Sequence, residues 1–141
     1  MARKKIFISF DYTNDHRYKD LLLAWNANKD FDISFNDFTS QEIQSNDISR
    51  IKASLTRKIN EADYTLVIIG KECCKTHKDH DLIGCNNWQE FEIKQSIEAG
   101  NKLIAVKLSL YYTSPSCLFS RNVRWAMSFT YDAIKKAINY A

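Results

Sequence analysis

Ile6-Phe7-Ile8-Ser9-Phe10 is apolar at nearly every position. A parallel strand covered on both faces by helices has this pattern, because neither face can stay polar. The run is read as the first and central strand of a sheet. Downstream, Asn14 or Asp15 is placed to cap a helix whose buried stripe is Tyr18, Leu21, Leu22 and Trp25. Phe31-Asp32-Ile33-Ser34-Phe35 alternates apolar and polar residues, as a half-covered strand nearer the sheet edge would. A polar loop over residues 36–46 follows. Ile48, Ile51, Leu55, Ile59 and Ala62 then recur at helical spacing behind Asp47, and residues 64–69 form a buried strand that Gly70 stops.

Residues 71–86 are polar and without periodicity, and a loop longer than ~12 residues inside a compact domain tends to be functional or mobile. The next helix runs over residues 87–99, with Asn86 or Asn87 as N-cap and Gly100 closing its C-terminus. Residues 103–108 make another strand. An irregular piece passes through Pro115, a short strand is expected over residues 124–129, and Ile134, Ala137 and Ile138 mark the inner face of a last helix. Strand alternating with helix gives an α/β fold, a parallel sheet with helices on both sides, in a single domain over residues 1–141. Ligands of such sheets bind outside the carboxyl ends of the strands. Ser9, Phe10, Asp11, Phe35, Asp37 and the loop ahead of Trp88 gather there.

Composition narrows the function. The 141 residues are 45% hydrophobic and 26% charged, which suits one globular domain. Twenty Lys and Arg against seventeen Asp and Glu leave a net charge of +3, too small to make nucleic acid the default partner. With three Gly and one Pro, neither GxGxxG nor GxxxxGK[ST] can be assembled, so any nucleotide is held another way. No apolar run approaches the ~18 residues of a membrane span. After Met1-Ala2-Arg3-Lys4-Lys5 the apolar stretch ends at Asp11, too soon for a signal peptide, so a cytoplasmic location is expected. Cys73, Cys74, Cys85 and Cys117 are expected as reduced thiols, since two are adjacent and a domain this size needs no disulfides. Together with His77 and His80 they match no common zinc spacing, so no metal is expected.

Trp88 and Glu92 stand one helical turn apart near the start of their helix and share a face. An indole there can stack on a base or ring while the carboxylate reaches the sugar, or the Trp can simply pack beside a solvated Glu. Glu90 points elsewhere and pairs with Lys94 at i,i+4 on the solvent side.

The ordered set "KIFISF" at residues 5–10, the polar loop after the second strand, residues 64–70 as third strand, and "NWQEFEIKQSIEAGNKLIAVKL" from Asn87 resembles a TIR domain. It looks most like the TIR-like proteins of bacterial Thoeris antiphage defence, over residues 4–108. The resemblance implies a flavodoxin-like, three-layer fold with a central parallel sheet. It also implies cleavage of NAD at the nicotinamide glycosidic bond with Glu92 as the catalytic carboxylate, and no cofactor beyond NAD as substrate. For the Thoeris members it implies closure of the product to a cyclic ADP-ribose signal for a downstream effector, and self-association is expected. Trp88, with an aromatic such as Phe10, would stack on the nicotinamide or adenine ring, unless it serves only the core. Ser9 and Asp11 would bind ribose or phosphate-linked groups, or else cap the following turn, and Asp37 has a site role or an Asx-turn role. The resemblance equally covers non-catalytic adaptors that act by association. A receiver-like regulator would need Asp11 as phosphoacceptor, and no matching Lys is evident.

Overall fold

The computed structural model describes residues 4–26, 33–36, 47–119 and 122–141. Strand β1 (Lys4–Ser9) leads to helix α1 (Tyr12–Asn26), then β2 (Ile33–Asn36), α2 (Ile48–Glu61), β3 (Tyr64–Ile69), α3 (His80–Ile83) and α4 (Trp88–Ala99). Strand β4 (Lys102–Lys107), a 3-10 turn (Ser116–Leu118), β5 (Val123–Ala126) and α5 (Tyr131–Asn139) complete the order. Among the described residues five strands form one sheet, all parallel, in the order β2-β1-β3-β4-β5. This is the flavodoxin-like α/β arrangement, whose switch point lies between β1 and β3.

Strand β1 is interior and paired on both sides, but the centre of the sheet is β3, which corrects the expectation for β1. An all-apolar run reports cover on both faces and does not distinguish the second position from the third. The pleat divides the core in two. Ile6, Ile8, Leu66, Ile68, Ile104 and Val106 pack with Leu22 of α1 and Ile134 and Ile138 of α5. Phe7 faces the other way, against Ile51, Leu55 and Ile59 of α2, Ile83, Trp88 and Phe91. Val67, Ile69 and Ala105 share that side with Ile93.

Three local expectations are corrected. Helix α1 starts before Asn14 and Asp15, which sit in its first turn; the Asp11 carbonyl accepts the Asp15 N–H at 2.8 Å. Leu21 is 45% exposed, because Leu22, one position on, occupies the stripe continued by Tyr18 and Trp25. The last strand ends at Ala126 and not at Phe129, since Phe129 leaves the sheet to pack its ring 4.9 Å from Tyr18 and 5.5 Å from Trp25.

The long segment after β3 is more ordered than its composition suggests. It contains α3, closed by Gly84 at φ 80°, and buries Ile83 and Cys73. Asn86 Nδ2 donates to the Cys74 carbonyl, and Asn87 Nδ2 donates to the carbonyls of Cys73 and Lys75, each bond at 2.8–2.9 Å. Asn87 also caps α4 by accepting the Glu90 N–H at 2.9 Å. One residue therefore ties the loop to the start of the helix. Residues 31 and 32 of the expected second strand lie outside the described residues, as does nearly all of the following polar loop.

Candidate active site

The N-cap at Asn87 fixes where α4 begins, and helical spacing then aims Gln89 and Glu92, three residues apart, at the sheet. Both side chains are buried, Glu92 at 2% exposure. On β1, Phe7 and Ser9 point to the same side as α4, so the last residue of the strand meets the first turns of the helix. Ser9 Oγ donates to Glu92 Oε1 at 2.7 Å. Gln89 Nε2 donates to the Ile68 carbonyl at 2.7 Å and the Ser9 carbonyl at 3.2 Å, and so spans the carboxyl ends of β1 and β3.

Burial dominates the electrostatics. Desolvation pushes the Glu92 carboxyl from 4.5 up to about 8, against the opposing hydrogen bond from Ser9. Asp15, in the first turn of α1, is raised from 3.8 to about 6, mainly by burial and then by the charge of Asp11, with Arg17 opposing. The Asp15 carboxyl lies against Gly70, just past the end of β3. The backbone of α4 is anchored by a polar relay: Ser96 Oγ donates to the Glu92 carbonyl at 2.7 Å and lies 2.6 Å from Thr65 Oγ1 on β3.

The structure brings Ser9 and Glu92 into direct contact and places Asp11 at the head of α1 beside Asp15. Asp11 Oδ2 accepts from Asn14 Nδ2 at 2.7 Å. Phe10 is packed with Ile6, Ile8 and Leu22 in the layer of α1 and α5, on the opposite side of the sheet from Glu92. Trp88 is 9% exposed and sits edge-on to Phe91 at 5.7 Å and to His77 at 6.4 Å, within the cluster of Phe7 and Leu55. Its indole is an anchor for α4 in this state. Asp37 lies outside the described residues. Glu90 does pair with Lys94, at 3.2 Å, and also accepts the Asn86 N–H at 3.3 Å, so it holds the loop as well as facing solvent.

Gln89, Asp15 and Gly70 border the candidate site and are not singled out as site residues in the sequence analysis. For Gln89 the signal was available, since i,i+3 from Glu92 is the same helix face. Asp15 and Gly70 meet only through the fold.

The four thiols are free, with Cys73 Sγ 3.5 Å from Cys74 Sγ and 3.0 Å from the Thr113 carbonyl it donates to. Among the described residues no group of three or more His, Cys, Asp or Glu is arranged to hold a metal, and no helix is long and apolar enough to cross a membrane. Two open grooves among the described residues, of about 660 and 640 Å³, lie between α2 and α4 and beside β5, and neither of these is lined by Glu92.

The family described as Thoeris protein ThsB, TIR-like domain, matches residues 7–111. The chain belongs to this family. The matched span runs from β1 through β4, so the TIR-like assignment covers Ser9, Gly70, Gln89 and Glu92 and leaves out β5 and α5. No curated protein matches the TIR-like chain. Among solved structures it is similar to a prokaryotic SEFIR domain, with TM-score 0.54 and 21% identity over 97% of this chain and 94% of that one. It is also similar to a 2-deoxyribosyltransferase from the psychrotolerant bacterium Bacillus psychrosaccharolyticus, with TM-score 0.56 and 14% identity over 89% and 87%. At these identities the two likenesses speak for the TIR-like fold alone.

Proposed function

We propose that this TIR-like domain is an NAD-cleaving enzyme in bacterial antiphage defence, acting in the cytoplasm and releasing nicotinamide and a cyclic ADP-ribose signal for a downstream effector. The observation that carries the reading is the buried Ser9–Glu92 hydrogen bond at the carboxyl edge of the sheet, on the helix opened by Asn87 and Trp88. A carboxyl sealed from water with no cationic partner among the described residues is costly to keep, and such groups cluster at functional sites.

The chemistry suits one carboxylate. When the C–N bond between ribose and nicotinamide breaks, its electron pair moves onto the cationic pyridinium nitrogen. Nicotinamide then leaves neutral and needs no general acid, unlike the leaving group of an ordinary glycosidase. Positive charge appears on the ribose, and ionised Glu92 stabilises it more in the transition state than in the ground state. A carboxyl poised at about 8 is mostly protonated at neutral pH, and a bound pyridinium cation shifts it toward the ionised form. Ser9 orients the carboxylate and favours its charge. Because Glu92 is 2% exposed, the reading requires the tip of β1 and the first turn of α4 to part as NAD enters.

Mass spectrometry of metabolites from cells expressing the protein, with and without phage challenge, tests the proposal. NAD should fall, with nicotinamide and an ADP-ribose isomer rising, and unchanged pools under both conditions would refute it.

A second reading, association without catalysis, is favoured by the sealed state of Glu92 and by Phe119 and Met127, exposed in the groove beside β5. It predicts concentration-dependent assembly with no loss of NAD.

A further inference from the structure

Two buried oxygens at the carboxyl edge have no hydrogen-bond partner among the described residues, Asp15 Oδ2 and Gln89 Oε1. Their side chains are 6% and 5% exposed. Orphaned buried acceptors are rare and destabilising, so each calls for an explanation. Gln89 is held in place by its own hydrogen bonds. The Gln89 amide nitrogen gives its hydrogens to the Ile68 and Ser9 carbonyls, which fixes the direction of Oε1. The Asp15 carboxyl rests on Gly70, where a Cβ would overlap Oδ2 and come within 2.6 Å of Cγ. Gly70 is not among the glycines with positive φ, so the room it leaves for Asp15, and not backbone conformation, accounts for glycine at this position.

We propose that Asp15 Oδ2 and Gln89 Oε1 form an acceptor subsite that takes hydroxyl and amide N–H donors of the nucleotide substrate, with Gly70 making the space. The proposal rests on the NAD-cleaving reading and specifies which part of the ligand lies there. An acidic oxygen and an amide oxygen repel phosphate and attract donors. The ribose diol or the carboxamide therefore faces this pair, and the diphosphate lies elsewhere. Asp15 belongs to the head of α1 and Gln89 to the first turn of α4, so a ligand bound to both also bridges the two helices across the switch point of the sheet.

Two measurements test this. The first concerns the seat itself. Gly70→Ala should lower the folding equilibrium constant in the otherwise native chain by displacing the Asp15 carboxyl, and less so in an Asp15→Ala background, where the overlap is gone. Additive effects of the two substitutions would overturn the geometry, whatever the protein does. The second is calorimetric binding of NAD to the Glu92→Gln protein, which should hold the substrate without turning it over. Adding Asp15→Ala should weaken binding at least tenfold, and adding Asp15→Asn, which keeps an acceptor in place, should restore much of it. Equal affinity in all three proteins would mean that water alone fills the subsite, overturning the inference while leaving the proposed enzyme intact. No NAD binding to the Glu92→Gln protein, together with no NAD consumption by the native one, would overturn both.

Discussion

Ser9 Oγ and Glu92 Oε1 are 2.7 Å apart although 83 residues separate them in the chain, and the bond between them joins the end of β1 to the second turn of α4 inside the protein. Among the described residues it is the influence on the Glu92 carboxyl that opposes burial. Ser9→Ala should therefore raise the Glu92 pKa further above about 8. The acid limb of kcat/KM, which reports the free enzyme, should move to higher pH, and a limb that stays in place would separate Glu92 from the titrating group. The same change should reduce stability by about 1 kcal/mol through the lost hydrogen bond.

Stability offers a test that needs no substrate. The Glu92 carboxyl titrates at about 8 folded against 4.5 in an unperturbed chain, so between those values the native state holds a proton that the unfolded state has lost. Stability attributable to Glu92 is thus full below about pH 4.5 and is lost as pH rises toward 8. Glu92→Gln has no such slope. Denaturant unfolding should show the variant gaining on the native protein with pH, by about 4 kcal/mol near pH 8, and converging with it at low pH. Parallel pH profiles for the two proteins would show that Glu92 is not buried as described.

Much of this arrangement was legible in the sequence, for reasons that differ by residue. The run at residues 6–10 announced a covered strand, and Asn87 and Gly100 bracketed α4, because caps and apolar patterns act locally. The same local rule, read further, places Ser9 and Phe10 on opposite faces, as successive strand residues must be. Phe10 thus packs with Leu22 and not beside Glu92. Trp88 could not be assigned by spacing, since a ring that shares a helix face with Glu92 can enter either the core or a cleft, and Phe7 and Leu55 supplied the core. The seating of Asp15 on Gly70 depends on the close approach of α1 to the end of β3, and no local pattern encodes it.

The neighbouring leucines of α1 give a direct check on helix phase. Leu22→Ala should cost about 2–5 kcal/mol, because the side chain is fully buried against Ile8 and Leu66, whereas Leu21→Ala should change stability by about 0.5 kcal/mol or less. Equal losses in chemical denaturation would place the buried stripe wrongly.

Asn87 holds three groups at once, the Glu90 N–H and the carbonyls of Cys73 and Lys75. Asn87→Ala should cost about 1–3 kcal/mol, and hydrogen exchange should rise in residues 71–86 as well as in the first turn of α4. Faster exchange confined to the helix would mean that the loop is held by other contacts.

The proposed cleavage of NAD is assigned to Glu92, and not to Glu90 two residues away. The measurement that bears on it most directly is NAD turnover by the native protein and by Glu92→Gln and Glu90→Gln, under conditions where the native protein is active and with circular dichroism confirming that each variant folds. Loss of a carboxylate that acts in the transition state should lower turnover on the order of a hundredfold or more for Glu92→Gln. Glu90→Gln, which alters a partly exposed pair with Lys94, should stay within about twofold of the native rate. Native turnover in Glu92→Gln, or collapse of activity in Glu90→Gln alone, would contradict the account.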